Sequence, residues 1–173
     1  MNRVLILSLT GALTVGSLAL GGCAGFQPLY AQPAVVGNLA AIDVQAPAGR
    51  TGYLIRQHLD DAFAKNRGAK AAYSMELALG ETRYPFGQRI DNTATRYVYV
   101  LTATYILRTL PAGVEARRGQ VRVELTYDSA DQPYASISAQ QDAQDRAAEE
   151  AARRIQLELA VWLANGAKVA SAK

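Results

Sequence analysis

ATRYVYVLTATYILRT, residues 94–109, decides the fold. It is rich in β-branched and aromatic residues and holds no Gly or Pro, so it reads as one long strand. Its odd positions (Tyr97, Tyr99, Leu101, Ala103, Tyr105, Leu107) and its even positions (Val98, Val100, Thr102, Thr104, Ile106) are both fairly apolar. One face should meet a core and the other a partner, and the pattern leaves open which is which. Downstream, Pro111 and Gly113 break the chain before Gly119–Asp128, where Val121, Val123, Leu125 and Tyr127 alternate with Arg122, Glu124 and Thr126. That is a strand with one wet face. Upstream, Ala72–Glu81 places Tyr73, Met75, Leu77 and Leu79 on one side of another strand, and Leu39–Ala46 alternates in the same way.

Two helices complete the set. Over Thr51–Asn66, Ile55, Leu59, Ala62 and Phe63 form one apolar stripe. The Ser138-x-x-Gln141 capping box predicts a helix start, with Asn165 near the end, Gly166 as the stop, and a stripe of Ala148, Ala151, Ala152, Ile155, Leu159 and Trp162. Thr82–Thr93 and Ser129–Ile137 read as loops, and the prolines and glycines of residues 24–38 predict an extended lead. The expected fold is α+β, in the order β-α-β-β-β-α. A four-stranded, mostly antiparallel sheet carries two helices packed on one face.

The amino end reads as an export signal. Arg3 precedes an apolar run from Val4 to Leu20, short for a membrane span and suited to secretion. Leu20-Gly21-Gly22-Cys23 resembles the bacterial lipobox, in which small residues admit a signal peptidase and the thiol takes a diacylglycerol. The expected organisation is a signal peptide at 1–22, an acylated terminus and linker at 23–38, one domain at 39–166 and a frayed tail at 167–173. Cys23 is the lipidation site. With Ala24 rather than Asp next to it, the lipobox resemblance implies the outer membrane.

Composition excludes several functions. Of 173 residues half are apolar and 19% charged, which rules out a wholly disordered chain. A net charge of +3 is too small for a dedicated nucleic-acid surface. One Cys and one His allow neither an internal disulfide nor the usual zinc sets, and no cofactor is expected. His58 beside Asp60 and Asp61 is the one acid–base candidate, and a histidine in this setting is more often a surface or boundary residue. The acidic pairs Asp60-Asp61 and Glu149-Glu150 read as solvated helix faces. Arg83, Arg89 and Arg96, interleaved with Tyr84 and Phe86, suit an amphipathic anion such as a lipid phosphate; a solvated loop would carry the same residues. Arg117, Arg118 and Arg122 form a second basic group of the same ambiguity.

Cys23-Ala24-Gly25-Phe26-Gln27-Pro28-Leu29-Tyr30 resembles the Cys-Gly-Phe-x-Pro-Leu-Tyr start of the alphaproteobacterial lipopolysaccharide (LPS) assembly lipoproteins of the LptE family, with Ala24 inserted. Tyr127-Asp128, Tyr134-Ala135 and Gln141–Ala148 resemble that family's later motifs, and the order of elements agrees. The resemblance implies an uncatalytic plug inside the LptD outer-membrane barrel that helps it assemble and binds LPS. It matches Arg89 or Arg83 to a family basic residue between strands two and three, whereas Gln132–Gln141 lacks the family's second basic site. An accessory lipoprotein of an ABC-type lipid transporter is the alternative, and a periplasmic hydrolase using His58 a third reading.

Overall fold

The computed structural model describes residues 32–66, 68, 70–88, 94–129 and 132–166. The signal segment, Cys23, Arg89 and the tail at 167–173 lie outside the described residues. The elements are α1 (Pro33–Ala40), β1 (Ile42–Gln45), α2 (Arg50–Ala62), β2 (Tyr73–Gln88), β3 (Ala94–Thr109), β4 (Glu115–Asp128) and α3 (Pro133–Ala164). The fold is α+β, and its strands form one sheet in the order β1-β2-β3-β4. β1 runs parallel to β2, and the other two pairings are antiparallel.

Three features differ from the expectation. Among the described residues there are three helices rather than two, because Pro33–Ala40 is helical and not extended. Pro33 sits in its first turn, where its missing N–H is harmless, and Val35 and Leu39, four apart, are both buried. β2 continues through Thr82–Gln88 instead of looping. The register of β2 against β3 slips on either side of Gly87, so Pro85 stands beside a bulge, one of the places where a strand tolerates proline. α3 begins at Pro133, within the expected loop, with Gln132 as N-cap and no side-chain cap, so the Ser138 box opens nothing. Its other end is as expected, with Gly166 at φ 82° just past the cap.

The odd-numbered side of β3 faces the core. Tyr99, Leu101, Ala103, Tyr105 and Leu107 join Met75, Val121, Val123 and residues of all three helices in one buried cluster. Ala143, Ala147, Ala148, Ala151 and Ala152 let α3 lie close, and Ile155 and Leu159 fill the space beyond. Trp162 closes the end, edge-on to Tyr73 with ring centroids 6.2 Å apart. Gly119 is required there, since a Cβ on it would overlap the Tyr105 ring.

Candidate functional site

Strand alternation sorts the predicted residues. At the far end of the sheet, Arg83 lies across from Tyr99 and Arg96 across from Asp128, so the two arginines take opposite faces. On the core side, Arg83 Nη1 donates to Gln140 Oε1 at 2.7 Å and to the Tyr127 hydroxyl at 3.4 Å. Its guanidinium lies 5.0 Å from the centre of the Tyr97 ring, which stacks on Tyr127 at 5.7 Å. Arg83 therefore ties the end of the sheet to the head of α3 by hydrogen bonds and a cation–π contact. On the other side, Arg96 Nε donates to Asp128 Oδ1 at 2.8 Å, and the Arg96 side chain is half exposed. The structure brings Arg83 and Arg96 to one end of the sheet but not into one cluster.

The even-numbered side of β3 carries Val98, Val100, Thr102, Thr104 and Ile106, none of which belongs to the core cluster, although Val98 and Val100 are themselves buried. Gln120 Nε2 donates to Thr104 Oγ1 at 3.2 Å, and Arg122 pairs with Glu124 at 2.6 Å along its margin. The face is apolar along its middle and charged at its edge. Where it meets the far end, Tyr84, Phe86, Val98, Glu124, Thr126 and Arg146 line a groove of about 510 Å³. Phe86 is 67% exposed. Arg146 is held toward it from α3 by Asp142 at 2.8 Å. An open groove with two aromatics, an arginine and a carboxylate can take a flat or amphipathic partner.

The basic group of Arg117, Arg118 and Arg122 is dispersed. Arg118 forks onto Glu115 at 2.9 Å and 3.1 Å, holding that carboxyl below its ordinary range. His58 Nε2 meets Asp145 Oδ1 at 2.9 Å, not the neighbouring Asp60 or Asp61. This pair joins α2 to α3 as a surface link. Tyr99 and Tyr105 hold their protons more tightly than usual, first through burial and then through their bonds to Glu81 and Glu158. That suits structural donors and not acid–base work at neutral pH. Among the described residues no three His, Cys, Asp or Glu gather as metal ligands, and no helix is long and apolar enough to cross a membrane.

Sequence reading missed Gln140, Tyr127, Asp128 and Arg146 as neighbours of the predicted residues. Extending the alternation of β2 past Glu81 was the signal that would have set Arg83 on the side of Tyr97.

A profile of the family described as LptE: Lipopolysaccharide-assembly matches residues 39–159. The solved structure of a putative lipoprotein from Caulobacter crescentus CB15 is 48% identical, covers 76% of this chain and 96% of its own, and superposes with a TM-score of 0.67. The rare lipoprotein B of Shewanella oneidensis shares 13% identity over 72% of this chain and 95% of its own, with a TM-score of 0.56. An uncharacterized lipoprotein B from Nitrosomonas europaea shares 14% over 72% of this chain and 84% of its own, at 0.54. These last two likenesses are of fold alone. No curated protein matches the chain.

Proposed function

The chain belongs to the LptE lipopolysaccharide-assembly family, and from that membership we propose that it is an outer-membrane lipoprotein that plugs the LptD barrel, helps it assemble and binds LPS on its way to the outer leaflet. It catalyses no reaction in this reading. Cleavage before Cys23 and acylation of that thiol tether the domain, each buried acyl CH₂ contributing about 0.8 kcal/mol. Arg83, Arg89 and Arg96 contact the phosphates of lipid A. Arg96 is the readier of the two described, since its partner among the described residues is the exposed Asp128 and a half-exposed arginine so paired can turn to a second anion.

The observation that carries the proposal is the family match over residues 39–159. The open sheet face supports it. Interiors of large barrels are polar, and the Arg122–Glu124 pair together with Gln120 gives this face a polar margin around its apolar middle.

The test is a detergent pull-down of the full chain with mass spectrometry of what accompanies it, joined to depletion in the native cell. Co-purification of a large outer-membrane barrel and LPS stranded in the periplasm are the expected results. Unaltered surface LPS after depletion refutes the proposal.

A further inference from the structure

The turn between β3 and β4 is hydrocarbon throughout. Leu110-Pro111-Ala112-Gly113-Val114 has no polar side chain, and every one of these residues is exposed. Surface turns draw mainly on Gly, Pro, Asn, Asp and Ser, the last three because their side chains satisfy nearby backbone. Here Leu110 and Val114 hold such places, 42% and 53% exposed. Backbone bonds close the turn: Thr109 N donates to Val114 O at 2.8 Å and Gly113 N to Thr109 O at 2.7 Å, with Gly113 at φ 69°. A preformed turn thus holds two aliphatic side chains in water, and covering them would release their unfavourable hydration at no ordering cost.

Its surroundings are cationic. Lys70 is exposed, two residues before Ala72, whose carbonyl accepts the Leu110 N–H at 2.8 Å. Arg108 lies across from Glu115, and Arg118 forks onto the same carboxylate. Among these residues three cations stand against one acid.

The turn also projects. Glu158 of α3 meets Tyr105, which pairs with Gly119. From that level α3 runs on to Ala164, about 9 Å, while β3 and β4 run on to Leu110 and Val114, about 17 Å. The tip therefore stands about 8 Å past the end of the helix. α1 finishes at the same end of the sheet, since Ala41 O accepts the Ala72 N–H at 2.9 Å. The stretch from Cys23 to Gln32 reaches at most about 30 Å, against about 48 Å for the length of α3. A lipid on Cys23 would hold this end nearer a bilayer than the end at Arg83.

We propose that the β3–β4 turn is a membrane-inserting tip. Leu110, Pro111 and Val114 enter the acyl region of a lipid surface, and Lys70, Arg108 and Arg118 meet its anionic headgroups. Apolar elements at such an interface bury about 5–10 Å deep, which the projection of the turn matches. A stable protein interface buries about 800 Å² per partner, far more than a five-residue convex turn offers. A lipid surface needs no fitted pocket. The tether brings the domain to the bilayer, and the tip fixes which end faces it. The tether rests on the acylation proposed above, and the tip rests on its own residues.

Fluorescence quenching tests it on the full-length chain. With Cys23 acylated, as intact-mass measurement checks, the chain has no free thiol, and one added cysteine takes one environment-sensitive probe. Val114→Cys and Ile137→Cys are labelled and reconstituted in vesicles of phosphatidylethanolamine and phosphatidylglycerol. Ile137 is equally exposed, at 53%, and stands near the head of α3 at the opposite end of the domain. Lipids brominated on their acyl chains should quench the probe at Val114 at least about threefold more than the probe at Ile137. Leu110→Asp in the Val114→Cys chain should bring the quenching down to the Ile137 level. Equal quenching at Val114 and Ile137 overturns the proposal. So does a Val114 probe that stays in water on vesicles and is shielded only when a barrel protein is added, which would give the tip to a protein. A chain without acyl mass on Cys23 removes the tether alone, and the same probes on a Cys23→Ser chain then decide the tip.

Discussion

Tyr105 donates its phenolic hydrogen to Glu158 Oε2 at 2.8 Å, joining the middle of the central strand to the last third of α3. The ring is fully buried, and burial, then Glu158, pushes its ionisation well above the ordinary tyrosine value near 10. Tyr99 is shifted in the same direction. A folded-state pKa raised above the unfolded one means that the folded chain holds the proton longer. The stability this represents is fully present below about pH 10 and is lost as pH climbs from there toward the folded value. Urea midpoints should therefore fall steeply above about pH 10, and Tyr105→Phe should flatten that fall while lowering stability at pH 7 by about 1–2 kcal/mol.

Gly119 stands against the Tyr105 ring, so the two positions are coupled. Gly119→Ala forces its Cβ into the ring and should cost about 1–3 kcal/mol as the strand or the tyrosine shifts. Gly80→Ala meets no such neighbour, and its melting temperature should stay close to wild type. Thermal unfolding of the two variants side by side checks the contrast.

The same close approach shows what the sequence could and could not reveal. Ala94–Thr109 was legible in full because β-branched and aromatic residues run through it without a break. The alanine stripe of α3 was legible because its period is helical. β2 was cut short because Pro85 and Gly87 are turn residues by habit, and only pairing with β3 holds them extended. The head of α3 was misplaced because Ser138 offers a capping pattern while Pro133 begins the helix five residues earlier. At the far end, Arg83 and Arg96 looked like one basic group along the chain. Their separation depends on which face each strand position takes, and that required knowing that Thr82–Gln88 is a strand.

Leu159 and Ile155 are fully buried where α3 meets the core cluster. Truncation of Leu159 to Ala should cost about 2–5 kcal/mol, the range for a buried leucine whose cavity collapses only in part. His58→Ala should cost no more than about 1 kcal/mol, because its partner Asp145 is half exposed and solvent screens the pair. Urea denaturation resolves the two, and a histidine loss as costly as the leucine loss would contradict the surface-link reading of His58–Asp145.

Arg83 and Arg96 differ in what their loss should do. Arg83 is held by Gln140, Tyr127 and Tyr97, so Arg83→Gln should lower stability by about 1 kcal/mol or more as well as any anion affinity. Among the described residues Arg96 pairs with the exposed Asp128, so Arg96→Gln should leave the melting temperature nearly unchanged. If Arg96 touches lipid A phosphate, Arg96→Gln should weaken LPS binding about tenfold at low salt, the ratio that about 1.4 kcal/mol gives. The deficit should shrink as salt shortens the Debye length to about 3 Å near 1 M. It should also vanish for LPS stripped of its lipid A phosphates. Titration of fluorescent LPS against both variants at two salt concentrations separates these outcomes. Equal binding by wild type and Arg96→Gln at low salt would remove Arg96 from the site and leave its pairing with Asp128 as its whole role.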